Sequence, residues 1–142
     1  MPITEEAGKS LQPVFVIDDE EFVLRLAKRL LNKHIPDCEV STFGTAEAAV
    51  NELRERSRNE TLVPTIVIID GTLKNDNGFY RLGHEVVQHL RNQEYGGLLH
   101  IIAHSSEGEN NEKMIKAGAN ASVRKSEIET LPEAVSAALG RN

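Results

Sequence analysis

Acidic, basic and hydroxyl side chains close a series of short apolar runs in this chain: Asp18-Asp19 after VFVI, Asp70 after TIVII, Ser105 at the end of LLHIIAHS, and Lys125 after ASVR. Two adjacent carboxylates with a third opposite them suit Mg²⁺, which takes oxygen ligands in octahedral geometry and keeps positions open for water and a phosphate oxygen. A carboxylate oxygen of Asp70 can then attack phosphorus to give an aspartyl phosphate. Phosphoryl transfer depends mainly on positioning and charge neutralisation, which Mg²⁺ on one side and the Lys125 ammonium on another would supply. Ser105 adds a hydroxyl able to donate to a phosphoryl oxygen. Each residue also has an ordinary use: Asp19 as N-cap of a helix starting at Glu20, Asp70-Gly71 as turn chemistry, Ser105 as a helix cap, Lys125 as a solvated charge. Their joint occurrence at four strand ends favours the chemical reading.

For these groups to meet, the elements carrying them must share one edge. The runs at 14–17, 38–43, 65–70, 98–105 and 121–125 are short and mostly rich in Val and Ile, which reads as strands. Between them lie helical patterns over 20–33, 45–57, 84–93, 109–117 and 127–139. In the first, Phe22, Leu26 and Leu30 recur at helical spacing and Val23, Ala27 and Leu31 widen the stripe; in the last, Ile128, Leu131, Val135, Ala138 and Leu139 share one side. Alternating strands and helices imply a parallel sheet covered on both faces, because each return to a parallel strand needs a crossover helix. This is a doubly wound α/β domain, and such sheets bind ligands beyond the carboxyl ends of their strands.

Composition narrows the function classes. At 142 residues the chain is about one domain long, with residues 1–11 expected as a flexible tail and 12–142 as the domain. A domain of this size buries about 70% of its unfolded surface, so no staple is required. Cys38 is the single cysteine, which excludes an intramolecular disulfide and fits a reducing cytoplasm. No apolar run approaches the roughly 20 residues of a membrane span. The net charge of −6 argues against binding to phosphate backbones, and the RERSR run at 54–58 reads as a solvated helix face. His84 and His89 in HEVVQH stand about 140° apart on a helix, so they cannot share a zinc ion and read as exposed helix histidines. His100 and His104, roughly 13 Å apart along a strand, cannot chelate one ion either.

As a set, FVIDDE at 15–20, VIID at 67–70, GHEVVQHLR at 83–91, IIAHSSE at 101–107 and AGANASVRKS at 117–126 resemble the CheY-like receiver domain of two-component response regulators. The resemblance implies a flavodoxin-like five-stranded sheet of order 2-1-3-4-5 with five helices. It further implies Asp70 as phosphoacceptor, Asp18 and Asp19 as Mg²⁺ ligands with Asp70 and the backbone carbonyl of Thr72, Lys125 against the phosphoryl group, and Ser105 as the switch hydroxyl. Backbone N–H groups near Gly71 and Ser106 complete the anion's cradle. The expected donor is a sensor histidine kinase or a histidine phosphotransfer protein. With no output domain in the chain, the signal is expected to pass by contact with a downstream protein, unless the chain is a piece of a larger regulator or hybrid kinase. Such a domain catalyses only its own phosphorylation and dephosphorylation. The alternative is a pseudo-receiver, an interaction module that keeps the fold without being phosphorylated.

The string Asp70-Gly71-Thr72-Leu73 also ends like the Asp-x-Asp-Gly-Thr motif of haloacid dehalogenase phosphatases. There the first Asp is the nucleophile, and here Ile68 stands at its position. A hydrocarbon cannot attack phosphorus, so that reading fails. Other departures concern the readout. Twelve residues separate Asp70 from Gly83, more than the family usually has, and they read as an extended polar loop over 71–82. Ser126 follows Lys125 where the family often has a cis-linked Pro, so a trans bond is expected. Ser122 replaces the aromatic residue three positions before the Lys, so no aromatic ring can swing inward there. The stretch from Ser105 to Lys125 is short, which puts the fourth helix in doubt.

Overall fold

The computed structural model describes residues 11–74 and 81–141. The expected tail, apart from Leu11, and positions 75–80 of the expected loop lie outside the described residues. The strands are β1 (Gln12–Ile17), β2 (Cys38–Phe43), β3 (Thr65–Ile69), β4 (Leu99–Ser105) and β5 (Ala121–Arg124). The helices are α1 (Glu21–His34), α2 (Ala46–Arg58), α3 (Gly83–Arg91), α4 (Gly108–Ala117) and α5 (Leu131–Ala138). All strand pairings are parallel and the order is β2-β1-β3-β4-β5, as expected.

Burial follows from that order. The central strands β1, β3 and β4 are covered on both faces, so VFVI, TIVII and IIAHS are apolar almost without alternation. Edge strand β2 alternates instead, with Cys38 and Val40 inward and Glu39 exposed. Two cores result. One packs Phe15, Ile17, Val67, Ile69, Ile101 and Ala103 under α2, α3 and α4. The other packs Val14, Val16, Ile66, Ile68 and Ile102 under α1 and α5.

Three helical expectations shift. The sheet selects Val23, Leu24, Ala27 and Leu31 as the buried arc of α1, and Phe22 is left 68% exposed. The apolar arc of this helix is wider than the contact it makes, so periodicity alone could not centre it. The fifth helix begins later than expected: residues Lys125–Thr130 form a 3₁₀ segment with a non-helical Glu127, and α5 starts at Leu131 with Pro132 in its first turn. A proline there fits, because first-turn amides have no intrahelical acceptor. The fourth helix is present, with only Asn111 and Met114 buried.

The expected polar loop after Asp70 is in part core. Thr72 forms an antiparallel bridge with Leu82, the Leu73 amide donates to the Arg81 carbonyl at 2.7 Å, and the Leu73 side chain is fully buried. No described peptide bond is cis, including the one before Ser126. The arginine-rich run is also more engaged than expected: Arg56 pairs with Glu52 at 2.7 Å and lies over the Phe15 ring. Because Leu73 fills the core under α3, Leu73→Ala is expected to lower stability by about 3 kcal/mol in urea unfolding; a change below about 0.5 kcal/mol would mean that this segment does not pack there.

Candidate functional site

The site is a consequence of strand register. Ile17 of β1 pairs with Ile69 of β3, and the Asp70 amide donates to the Ile17 carbonyl at 2.9 Å. Asp18 and Asp70 therefore leave the sheet side by side, both continuing the two-residue period of Val14, Val16, Ile66 and Ile68 on the side of the core under α1 and α5. Lys125 leaves β5 at the same edge. Its Nζ lies 2.9 Å from Asp18 Oδ2, 3.0 Å from Asp70 Oδ1 and 3.4 Å from Glu20 Oε1. Asp18 and Asp70 are almost fully buried, and the Lys125 side chain is only 14% exposed.

The two aspartates of the first strand end divide their work differently from a simple helix cap. Asp18 Oδ1 accepts from the Glu20 amide at 2.9 Å. Asp19 does not cap α1: its Oδ2 accepts from the Lys74 amide at 2.7 Å, tying the first strand end to the segment after Asp70. Nothing local in the sequence signalled that bond, since its partners are 55 positions apart.

Electrostatics leave the cluster short of positive charge. Burial, together with the neighbouring Asp18 carboxylate, pushes Asp70 up to about 6 despite the pull of Lys125 and the Thr72 amide. Burial also raises Asp18, opposed by Lys125 and the Glu20 amide. Burial disfavours the Lys125 charge, but Asp18 and Asp70 outweigh it and hold the ammonium above its usual range. One ammonium thus faces two buried carboxylates with Asp19 beside them. This is the arrangement that draws a further cation.

The residues fit Mg²⁺. Asp18, Asp19 and Asp70 each present an oxygen within 4.8 Å of the others. Asp18 Oδ2 is buried and faces the Lys125 ammonium at 2.9 Å. An all-oxygen, carboxylate-rich donor set matches a hard divalent ion. Asp19, Asp70 and Lys125 line a cleft of about 460 Å³, shared with Thr72, Lys74, Ser105 and Ser106.

Across the cleft, Ser105 is 3% exposed and its Oγ accepts from the Glu107 amide at 3.2 Å. The side chain thus braces the β4–α4 turn, while Glu107 is the N-cap of α4. Two glycines permit the close packing of this edge. A Cβ on Gly71 would meet Ser105 Oγ at 2.7 Å, and one on Gly83 would meet the Asp70 carbonyl at 2.3 Å. Gly71 is therefore a spacing residue, and the Asp-Gly string needs no phosphatase motif to explain it.

The sequence reading missed several neighbours of the site. Glu20 and Lys74 touch it through contacts distant in sequence, so only the fold reveals them. Asn111 clamps the Ser105 backbone from α4; its place three residues before buried Met114, on the inward side of the helix, was the available signal. The histidines stand apart from the cleft chemistry. His84 and His89 are half-buried rather than exposed, and burial lowers His89. His104 is buried beside Ser105, held down at about 4 by desolvation and then by Lys125, and its Nε2 makes no hydrogen bond.

The model of the response regulator receiver domain family matches residues 14–136, and the chain belongs to that family. No curated protein sequence matches it. Among solved structures, the RcsB response regulator of Salmonella typhimurium superposes with a TM-score of 0.74 at 19% identity, over 94% of this chain. The chain spans 63% of that RcsB chain. A CheY-like receiver domain protein from Methanospirillum hungatei JF-1 gives 0.71 at 20% identity, over 92% of this chain and 95% of its own. The BeF3-activated receiver domain of DrrB, a Thermotoga maritima protein, gives 0.70 at 22% identity, over 92% and 99%. Domains of this family are typically phosphorylated on Asp, and receivers interact with histidine kinases or phosphotransfer proteins. Among the described residues, no helix is long and apolar enough to cross a membrane.

Two outcomes follow from this geometry. In cation-free protein the folded-state pKa of Asp70, about 6, exceeds its ordinary 3.8, so the folded state holds the extra proton between those values. The stabilisation is complete below the lower value and lost as pH rises through the upper one; unfolding midpoints should fall across that window, and added Mg²⁺ should flatten the fall. A pH-independent midpoint in the same window would contradict it. Second, Lys74→Pro, which deletes the amide that orients Asp19, should weaken Mg²⁺ binding about tenfold by titration calorimetry, whereas Lys74→Ala, which keeps the amide, should not.

Proposed function

We propose that the chain accepts a phosphoryl group on Asp70 from a phosphohistidine of a sensor histidine kinase or histidine phosphotransfer protein, with Mg²⁺, and passes the signal to a downstream protein by contact. The observation that carries this reading is the buried group of Asp18, Asp70 and Lys125 with its separations of 2.9 and 3.0 Å. An Asp70 carboxylate oxygen attacks phosphorus, the phosphorus–nitrogen bond breaks, and its electron pair returns to the donor imidazole. Lys125, already oriented by two carboxylates, stays charged throughout and faces the incoming anion. Asp18 and Asp19, with Asp70 and the Thr72 carbonyl, would hold the Mg²⁺, which when bound would supply neutralisation of the phosphoryl charge. Ser105 then turns its hydroxyl from the Glu107 amide toward the phosphoryl oxygens, because added charge reorganises nearby donors. Backbone amides near Gly71 and Ser106 add further donors to the anion. Hydrolysis of the acyl phosphate by water, on the same residues, ends the signal.

Support for this reading also comes from the family match and from the capture of the DrrB receiver in a BeF3-activated form. Acetyl phosphate provides a direct test, since its phosphorus–oxygen bond breaks with acetate leaving. Incubation with Mg²⁺ should add one phosphoryl mass to the intact protein, and Asp70→Asn should abolish the adduct. An adduct that survives that substitution, or none on the unaltered chain, would defeat the proposal; the second result would favour the pseudo-receiver.

A further inference from the structure

Resting on the phosphoacceptor reading above, we infer that Asn111 is a positioning residue that couples the state of the Ser105 hydroxyl to α4 and to the groove between α4 and β5. Asn111 is a buried polar side chain, 4% exposed, on the inward face of α4. Its Oδ1 accepts from the Ser105 amide at 3.0 Å and its Nδ2 donates to the Ser105 carbonyl at 3.3 Å. A single amide side chain therefore holds both backbone groups of the residue that ends β4.

The clamp closes a ring. The Glu107 amide donates to Ser105 Oγ, and the Asn111 amide donates to the Glu107 carbonyl at 3.2 Å. Moving the Ser105 hydroxyl to a phosphoryl oxygen opens one side of that ring at the N-cap of α4 while leaving the Asn111 clamp intact. Any displacement of the Ser105 backbone is then imposed on Asn111 and hence on the helix. The helix is free to follow, because among its described residues only Met114 joins Asn111 in being buried.

The response has a defined outlet. Asn111 also lines a groove of about 540 Å³ between α4 and β5, together with Gly108, Ile115, Lys116, Ser122 and Arg124. At its end the Arg124 guanidinium packs so closely on Gly108 that a Cβ there would meet Nη2 at 2.6 Å. A shift of the first turn of α4 must therefore alter the α4–β5 contact. The route runs through a polar clamp; Ser122, which is exposed on the same groove, has no ring to move.

The test is nuclear magnetic resonance of the full chain with Mg²⁺, before and after adding beryllofluoride. In the unaltered protein the amides of Asp70, Ser105 and Glu107, the Asn111 side-chain amide, and the amides of Ile115, Ser122 and Arg124 should all shift. Asn111→Ala should keep the shifts at Asp70 and lose those at Ile115, Ser122 and Arg124. If that variant does not fold, Asn111→Asp, which keeps the acceptor for the Ser105 amide and loses the donor to its carbonyl, should weaken the groove shifts. Groove shifts that persist in the variant, with or without a loss of thermal stability, would reduce Asn111 to a structural residue and overturn the coupling. An unaltered protein that shifts at Asp70 and not in the groove would overturn it too. Absence of any shift at Asp70, together with absence of an acetyl phosphate adduct, would instead overturn the phosphoacceptor reading and the coupling with it.

Discussion

Like charges held together against their repulsion are the constraint around which this molecule is arranged. Asp18 and Asp70 leave adjacent parallel strands in register, and the hydrogen bond from the Asp70 amide to Ile17 prevents their separation. Water screens them poorly, because both carboxylates are almost fully buried. The Lys125 ammonium answers part of the charge, and the remainder makes the edge a cation site. The hydrophobic sheet thus creates an electrostatic demand at its rim and leaves it incompletely met.

The neighbouring features serve that demand. Gly71 and Gly83 allow the segment after β3 and the start of α3 to approach the acidic edge more closely than any side chain would permit. The Thr72–Leu82 bridge and the bond from the Lys74 amide to Asp19 tie the described residues after β3 into the site. Leu73 pins that stretch from below by entering the core. On the far side, Ser105 and Asn111 form a small polar assembly at the thinly packed start of α4. Stiff register on one side and a lightly anchored helix on the other give the edge a fixed half and a movable half.

The apolar alternation of the chain was enough to read the strands, the crossover helices and the strand-terminal residues. These properties depend on short-range order: a doubly covered strand is apolar at nearly every position, and a residue that ends it stands at the rim whatever the rest of the chain does. The placement of Asp18, Asp19, Asp70, Ser105 and Lys125 at strand ends was legible for that reason. Which arc of α1 would be buried was not, because Phe22, Leu26 and Leu30 are as apolar as the residues the sheet selected. The start of α5 was displaced because a 3₁₀ turn from Lys125 to Thr130 carries the same side chains as a helical one.

By itself, then, the sequence determined the architecture and the chemical types at the sheet's edge, since both follow from periodicity and from residue identity at strand ends. Tertiary structure alone decided who touches whom: the Lys74 amide on Asp19, Glu20 near Lys125, Asn111 on both backbone groups of Ser105, and Leu73 in the core rather than in solvent. Most of those contacts join positions that periodicity does not relate. A hydrogen bond requires two groups within about 3 Å, and that proximity is a property of the folded chain.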